Sequence, residues 1–287
     1  MFKVAILGCE NSHANAFLSE VLNEKLVDDV EFIGVYSDDR TAAEKLNEKF
    51  GVPIMDSYDA LVGQVDGIII TARHGDNHFK FAKPYLSSGI PMFIDKPITC
   101  SIKDAVAFRA ALEANKIPVA GGSTLAISDP IQKLKKDVAE AEPGQVIGGF
   151  FCAPIVLNSV HGGFFFYAQH LVQMMTTVYG TQARSVKVFE KKDVLTCVVR
   201  YDDLDVTLTY IESWEESKYV AYVNYKGNFV GEVFYPVGLY GKEFMEFYHL
   251  LKGEPQTQSY EEFFAPVYIM NAMEKSRLSG KEEPIEV

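Results

Sequence analysis

The first part of the chain alternates short apolar runs with helical patterns. Continuous apolar runs typical of buried strands are FKVAIL (2–7), VEFIGVYS (30–37), VDGIIITA (65–72), PMFIDKP (91–97) and IPVAGG (117–122). The segments between them have apolar residues at helical spacing, as at 17, 18, 21 and 22, and in 38–51, 74–89 and 101–116. Strands separated by helices predict a parallel sheet that is covered on both faces and connected by right-handed crossovers.

The rhythm changes after Gly122, where predicted strands follow one another across short turns. These runs are 144–156, 183–190, 193–203, 205–212 and 218–236, with helical stretches at 164–179, 239–251 and 259–278. Strands joined in this way pair mostly antiparallel. The sequence therefore predicts an α/β protein: a Rossmann dinucleotide-binding domain with a doubly wound parallel sheet at 1–121, and an α+β domain for substrate binding and oligomerisation, with a large, mostly antiparallel open sheet, at 122–287.

Composition and charge exclude several classes of function. The 27 Lys and Arg residues against 39 Asp and Glu give a net charge of −12, and no basic run forms the stripe that nucleic acid requires. No apolar run reaches the roughly 18 residues of a spanning helix, and the opening MFKVAILG is too soon interrupted by Gly8 and Glu10 to be a signal peptide. The four cysteines lack CxxC spacing and the six histidines lack ligand spacing. We expect a cytoplasmic protein without a metal, and no nucleic-acid or membrane partner.

The turn after the first strand is a candidate phosphate-binding site. A dinucleotide fingerprint places glycines at the positions of Gly8, Glu10 and His13, and only the first is present. Asn11 or Ser12 is expected to cap the first helix, whose N-terminal amides remain an anion site. We therefore predict that Gly8, Glu10, Asn11 and Ser12 contact the cofactor.

The end of the second strand carries Ser37 and Asp38, followed by Asp39. An acidic residue at this position accepts hydrogen bonds from an adenosine ribose and disfavours a 2′-phosphate. The expected cofactor is NAD, with NADP left as the alternative because Arg40 is near.

Three further segments carry a resemblance to a known family. They are TARHGDNH after the third strand, IDKP after the fourth, and HGGFFFYAQHLVQ in the second half. In order and spacing they resemble the Gfo/Idh/MocA family, the glucose–fructose oxidoreductase and inositol dehydrogenase group. The matching positions are Thr71 with His78, then Asp95 and Lys96, then the glycine pair before His170; where many members have an aspartate after that histidine, this chain has Gln173.

The resemblance implies a nicotinamide-dependent oxidation of a sugar or polyol hydroxyl. It implies cofactor contacts from the loops after strands three and four, at Thr71, Ala72, Arg73, His78, Asp95 and Lys96. It also implies that Lys96 and His170 are catalytic and meet across a cleft. An imidazole can take the hydroxyl proton, and a lysine can stabilise the developing alkoxide. His161, Tyr167 and Gln173 are candidates for lining the substrate pocket.

Two other functions remain open on the sequence. Glu10, His13 and Gln173 depart from the family pattern and favour a nucleotide- or sugar-sensing protein of the same fold without turnover. A third interpretation is glycoside cleavage through transient oxidation. The strands of 193–225 are partly apolar on both sides, which predicts a homodimer or homotetramer that pairs through the open sheet.

Overall fold

The computed structural model describes residues 1–212 and 218–286. The chain divides into two compact units: Met1–Gly122 with Tyr240–Tyr260, and Ser123–Leu239 with Glu261–Val287. The sequence-based division placed all of 122–287 in the second domain, whereas residues 240–260 belong to the first unit by their contacts. Within the described part of the chain, no helix is long and apolar enough to cross a membrane.

The first unit is built on a five-stranded parallel sheet. Its strands are β1 (Phe2–Leu7), β2 (Val30–Tyr36), β3 (Gly67–Ile70), β4 (Met92–Asp95) and β5 (Val119–Gly122), and its helices between them are α1 (Ser12–Leu22), α2 (Arg40–Phe50), α3 (Asp76–Ala82) and α4 (Ile102–Ala114). The strand order is β2-β1-β3-β4-β5. The predicted alternation is confirmed. The order reverses between β1 and β3, and ligands of such sheets bind outside the carboxyl ends of the strands at this switch point.

The second unit is built on a seven-stranded mixed sheet. The remaining elements, in chain order, are α5 (Asp129–Ala139), β6 (Val146–Pro154), α6 (Phe165–Tyr179), β7 (Ser185–Lys191), β8 (Val194–Arg200), β9 (Asp205–Ile211), β10 (Tyr219–Tyr225), β11 (Asn228–Phe234), α7 (Leu239–Leu251), α8 (Tyr260–Ser279) and β12 (Glu283–Pro284). All of them belong to the second unit except α7, which lies almost entirely in the first. The strand order is β11-β10-β6-β9-β8-β7-β12. Among the described strands of this sheet, only β6 and β9 pair in parallel. The prediction of a mostly antiparallel open sheet is confirmed.

Helix α7 joins the first unit because one of its faces is apolar. Phe244, Phe247, Leu250 and Leu251 follow the spacing of a buried helical stripe and lie in one core cluster with Phe17 of α1. The rings of Phe17 and Phe244 are 5.9 Å apart. This packing brings the polar residues of the same helix, above all Glu243, to the first unit.

The core of the second unit lies on one face of its sheet. Side chains of α5, α6 and α8, among them Ile131, Met174 and Met270, form a buried cluster with alternate residues of the strands. The amphipathic helix α5 is absent from the sequence-based prediction, although Pro130 in its first turn is a typical start signal. Near the end of the chain, Glu283 and Pro284 of β12 pair with Val186 and Ser185 of β7.

Candidate active site

The turn between β1 and α1 depends on Gly8. Its φ is +74°, a conformation that favours glycine, and a Cβ atom built there would lie 2.5 Å from backbone and side-chain atoms of Ala72. The Thr71 hydroxyl donates to the Gly8 carbonyl over 3.0 Å. The exits of β1 and β3 are therefore in direct contact, as the glycine-dependent turn of a dinucleotide-binding fold requires.

Glu10 connects three strand ends. Its Oε2 accepts a hydrogen bond from the Ser37 hydroxyl at 2.7 Å, beyond β2, and its Oε1 accepts one from the Arg73 backbone N–H at 3.0 Å, beyond β3. Both carboxylate oxygens of Glu10 therefore accept hydrogen bonds from groups at the carboxyl edge of the sheet. Of the residues predicted to contact the cofactor, Gly8, Glu10, Ser37, Thr71, Ala72 and Arg73 lie together in this region.

The Asn11 side chain does not cap α1 as the sequence predicted. Asn11 has the extended backbone of an N-cap, but its side chain makes no cap bond to α1 within the described part of the chain and donates to Asp95 Oδ2 over 2.7 Å. The Ser12 hydroxyl donates to Asn11 Oδ1 over 3.3 Å. The first amides of α1 are therefore left to an external acceptor, and the positive end of the helix suits the diphosphate of a dinucleotide.

Asp38 provides an acidic group at the end of β2. It accepts hydrogen bonds from the Tyr36 hydroxyl at 2.6 Å and the Lys80 ammonium at 3.2 Å. The Tyr36 hydrogen bond and Lys80 hold the pKa of Asp38 below its ordinary value. Asp39 has a different role, because its carboxylate accepts from the Thr41 N–H and caps α2.

A buried group of charges lies beside the turn. His13 Nδ1 is 3.2 Å from Asp95 Oδ1 and 3.7 Å from Glu243 Oε2, and all three side chains are almost fully buried. Asp95 Oδ1 also accepts the Lys96 backbone N–H at 2.6 Å. We call His13, Asp95, Lys96 and Glu243 the buried charge cluster.

The members of this cluster shift one another's protonation. Burial alone would lower the pKa of His13, but Asp95 and Glu243 outweigh it and raise that pKa above the ordinary value. Burial alone would raise the pKa of Asp95, but the His13 and Lys96 charges hold it below the ordinary value. The structure therefore favours an ionised Asp95 beside a protonated His13.

Lys96 stands at the carboxyl end of β4 and is only 5% exposed. Burial lowers its pKa, while Asp95 and Glu243 act in the opposite direction. A buried lysine with a lowered pKa holds its proton less tightly than a surface lysine and can take part in proton transfer.

His78 holds the loop after β3. Its ring is completely buried, and Nε2 lies 2.8 Å from the Ala72 carbonyl oxygen. Burial lowers the pKa of His78, which favours the neutral ring. Through its contact with the Ala72 carbonyl, the His78 side chain therefore helps to fix the conformation of residues 71–73.

In the second unit, α6 carries His170. The imidazole is 8% exposed, and its Nδ1 is 2.7 Å from the Ser123 hydroxyl oxygen, which also accepts the Leu125 N–H. Tyr167 lies one helical turn earlier, with its ring edge-on to His170 at 5.4 Å. The His161 ring packs against Phe166 at 5.2 Å.

Gln173 acts on His170 through Ser123. Its Oε1 accepts the Ser123 backbone N–H at 2.7 Å and the Gln169 side-chain amide at 2.9 Å. The amide therefore fixes the segment that presents the Ser123 hydroxyl to the imidazole. A neutral side chain can make both of these hydrogen bonds.

Sequence reasoning missed three residues of these sites. His13 was interpreted only as the loss of a glycine, Glu243 lies on a helix that was placed in the other domain, and Ser123 was not singled out. The position of Ser123 directly after the glycine pair of β5 is a signal that could have identified it, because residues beyond the carboxyl end of a parallel strand commonly face a ligand.

The fold and these sites define an oxidoreductase domain of the NAD-binding Rossmann type, and comparison with known proteins agrees. Residues 2–122 match the family model described as "Oxidoreductase family, NAD-binding Rossmann fold" (GFO_IDH_MocA). The resemblance predicted from the loop motifs after the third and fourth strands is confirmed over these residues.

Solved structures extend the likeness in fold to the whole chain. Myo-inositol dehydrogenase from Lactobacillus casei, in complex with NAD(H) and myo-inositol, has a TM-score of 0.86 at 13% identity, over 100% of this chain and 97% of the other. Myo-inositol 2-dehydrogenase from Lactobacillus plantarum has a TM-score of 0.85 at 14% identity, over 99% of each chain. Apo scyllo-inositol dehydrogenase from Lactobacillus casei has a TM-score of 0.84 at 11% identity, over 99% and 98%. A comparison with curated proteins finds no match.

Proposed function

We propose that this protein is an NAD(H)-dependent oxidoreductase that transfers a hydride between the nicotinamide and a hydroxyl-bearing carbon of a sugar or polyol. The observation that carries the proposal is Lys96, a buried lysine at the carboxyl end of β4 in an NAD-binding family domain. A cation at this edge stabilises the alkoxide that forms as the hydroxyl proton leaves and that becomes a carbonyl when the hydride passes to the nicotinamide. Cyclic polyols are the first substrates to test, since similar folds include two kinds of inositol dehydrogenase.

The cofactor-binding residues are those that surround the switch point. The uncapped amides of α1 suit the diphosphate, and Asp38 suits the adenosine ribose. NAD⁺, when bound, supplies the hydride acceptor. Thr71, Ala72, Arg73, His78 and Asp95 shape the adjoining loops, and Gly8, Glu10, Asn11, Ser12 and Ser37 shape the turn.

His170 is assigned the role of general base. In the tautomer whose Nδ1–H donates to the Ser123 oxygen, the assigned acceptor of the substrate proton is Nε2. Tyr167 and His161 are assigned to the substrate pocket, and Gln173 to positioning His170 through Ser123.

Replacement of the two proposed catalytic residues tests this assignment. Lys96→Ala and His170→Ala should each lower turnover of the preferred polyol by roughly two to four orders of magnitude, as expected for a positioned electrostatic or acid–base group. The readout is the absorbance of reduced nicotinamide, with Lys103→Ala and His249→Ala as exposed controls. NAD(H) binding should survive better in His170→Ala than in Lys96→Ala. Wild-type turnover in both variants would contradict the assignment.

A sensor without turnover is the second candidate, favoured by one specific observation. Glu10 places a carboxylate where the fingerprint has its second glycine, and its contacts with Ser37 and Arg73 tie the strand ends together. Such a protein would bind NAD(H) by calorimetry yet reduce no cofactor with any polyol or sugar. That combination of results would replace the dehydrogenase by the sensor.

The proposal extends to compartment and assembly. Cys9, Cys100, Cys152 and Cys197 form no disulfide within the described residues, which suits the reducing cytoplasm. A homodimer or homotetramer is proposed from the apolar outer face of the second sheet.

A further inference from the structure

The loops that follow β3 and β4 touch each other at Gly75. A Cβ atom at this position would lie 2.5 Å from the Pro97 carbonyl oxygen and 3.1 Å from Thr99 Cα. Only glycine permits this approach without displacement of backbone. It brings the segment from His74 to Asp76 against the segment that ends at Cys100.

Three donor atoms of different chemistry converge at this contact. The ligating atoms of His74, Asp76 and Cys100 all lie within 4.8 Å of one another, and His74 Nδ1 is 3.9 Å from Asp76 Oδ2. Ligands bound at about 2.0–2.3 Å around a tetrahedral zinc ion are roughly 3.3–3.8 Å apart. A movement of about 1 Å would therefore bring the three atoms into coordination.

The backbone around the site orients two of these groups. Asp76 Oδ1 accepts the Cys100 N–H at 3.1 Å and the Thr99 hydroxyl at 3.3 Å, while Oδ2 faces the His74 ring. His74 Nδ1 accepts the Asp76 N–H at 3.4 Å, so the imidazole is held beside the carboxylate, and an ion that binds through Nδ1 takes the place of this long hydrogen bond. The His74 and Asp76 side chains are 37% and 47% exposed, which gives an ion access from solvent.

We propose that His74, Asp76 and Cys100 form a binding site for one borderline divalent cation of the Zn²⁺ type, with water as the fourth ligand. Imidazole nitrogen, carboxylate oxygen and thiolate sulfur together suit zinc, whereas Mg²⁺ and Ca²⁺ prefer oxygen alone. Binding replaces the thiol proton of Cys100, which passes to solvent, and no electron is transferred. The ion joins the loop after β3 to the loop after β4, both of which carry proposed cofactor residues.

The test uses the full-length, tag-free protein, stripped of metal with a chelator. Calorimetry with Zn²⁺ and elemental analysis after gel filtration should give one ion per chain. Co²⁺ in place of zinc should give the charge-transfer absorption of a cobalt–thiolate bond, together with the intense visible bands of a tetrahedral site. At a zinc concentration about a hundredfold above Kd, Tm should rise by about 5–10 °C.

Variants separate this site from adventitious binding. Cys100→Ser and His74→Ala should weaken zinc binding at least about a hundredfold and remove the cobalt–thiolate band, since even outer-shell losses cost ten- to a hundredfold. Cys152→Ser and His249→Ala are the matched controls and should bind as the wild type does.

Three results would overturn the proposal: less than one ion per chain, a cobalt spectrum without thiolate absorption, or equal weakening in the control variants. The wild-type spectrum decides the matter even if a variant fails to fold. None of these measurements depends on hydride transfer, so failure of the zinc site and failure of the proposed dehydrogenase activity are distinguishable.

Discussion

His13 shows how a side chain can fill a position that the fingerprint reserves for glycine. A glycine there allows close packing between helix and strand, whereas the imidazole of His13 lies between Asp95 and Glu243. Its ring also packs edge-on against Tyr240 of α7 at 5.0 Å. At this position a polar contact between α1, β4 and α7 takes the place of backbone proximity.

The buried charge cluster predicts a pH dependence of stability. Because the folded-state pKa of His13 is raised above 6.5, its contribution is complete below pH 6.5 and is lost as the pH rises through the folded-state value. Because the pKa of Asp95 is lowered below 3.8, its contribution is present above pH 3.8 and is lost as the pH falls through its folded-state value. The pKa values of Lys96 and His78 are lowered on folding, so their contributions make stability rise with pH, in the direction opposite to that of His13.

A comparison of variants measures the contribution of His13 to the pH dependence of stability. Between pH 6.5 and about 9, Tm should fall more steeply in the wild type than in His13→Gln, measured by differential scanning calorimetry. His249→Gln, which changes an exposed histidine of α7, should follow the wild-type curve. Parallel curves for the wild type and His13→Gln would show that the imidazole is not held protonated.

Asp38 predicts a preference for NAD(H) over NADP(H). Its carboxylate is ionised by its contacts with Tyr36 and Lys80 and would repel a 2′-phosphate. Asp38→Asn should narrow the difference in Kd between the two cofactors by about tenfold, the effect of about 1.4 kcal/mol, because Lys80 then faces the phosphate without its counter-charge. Calorimetric titration with both cofactors measures this, and tighter NADP(H) binding by the wild type would reverse the assignment.

At the scale of elements, a glycine is required for two different reasons in the β1–α1 turn and at the end of α2. Gly8 and Gly51 both have a φ of +74°, but only Gly8 has neighbours within 4 Å of a built Cβ atom. Gly51→Ala should destabilise folding by about 1–2 kcal/mol, from the left-handed conformation alone. Gly8→Ala should cost about 2–5 kcal/mol, because the clash with Ala72 is added, and should abolish NAD(H) binding. Urea unfolding and calorimetry measure both; equal costs would remove the steric argument.

Most elements of the first unit could be predicted because their signals are local. The apolar runs at 2–7 and 30–37 required no knowledge of distant residues. Helix α7 was also predicted as a helix, but its assignment to the first unit depends on Phe244 and Phe247 meeting Phe17 in one core. Periodicity identifies an apolar face and does not identify its partner.

The contacts within the candidate sites were harder to predict from the sequence than the elements were. Lys96 and His170 were predicted from the motifs around them, whereas Glu243 and Ser123 lie beside them through contacts that the fold creates. The convergence of His74 and Asp76 with Cys100 depends on the approach at Gly75, and no metal-ligand spacing in the sequence indicates it. Side chains far apart in sequence become neighbours only when the strand order is known.

At the scale of the whole molecule, the second sheet presents an apolar outer face. Phe150, Val198, Val220 and Tyr222 lie on its side opposite the core, in register across β10, β6, β9 and β8. Thr207 and Thr209 of β9 lie between them, and charged side chains on this face include Lys187 of β7 and the pair of Arg200 and Asp205 at the ends of β8 and β9. Contiguous apolar positions on an outer face can mark a contact between protein chains.

The oligomer prediction can be tested on this face. Phe150→Lys should convert a dimer or tetramer to monomers at micromolar concentration, because a charge would be buried without a partner. Multi-angle light scattering gives the mass, and Leu278→Lys, at a highly exposed apolar residue of α8, is the control. A monomeric wild type would contradict the prediction.

The most direct test of the account is the fate of the hydrogen on the substrate carbon. The protein is incubated with NAD⁺ and a panel of cyclic polyols and sugars, and the best substrate is then supplied with deuterium on its carbinol carbons. The account predicts that mass spectrometry finds one deuterium in the reduced nicotinamide, and that Lys96→Ala and His170→Ala slow this transfer by roughly two to four orders of magnitude. Bound NAD(H) with no cofactor reduced by any member of the panel, or reduced nicotinamide without the label, would contradict it.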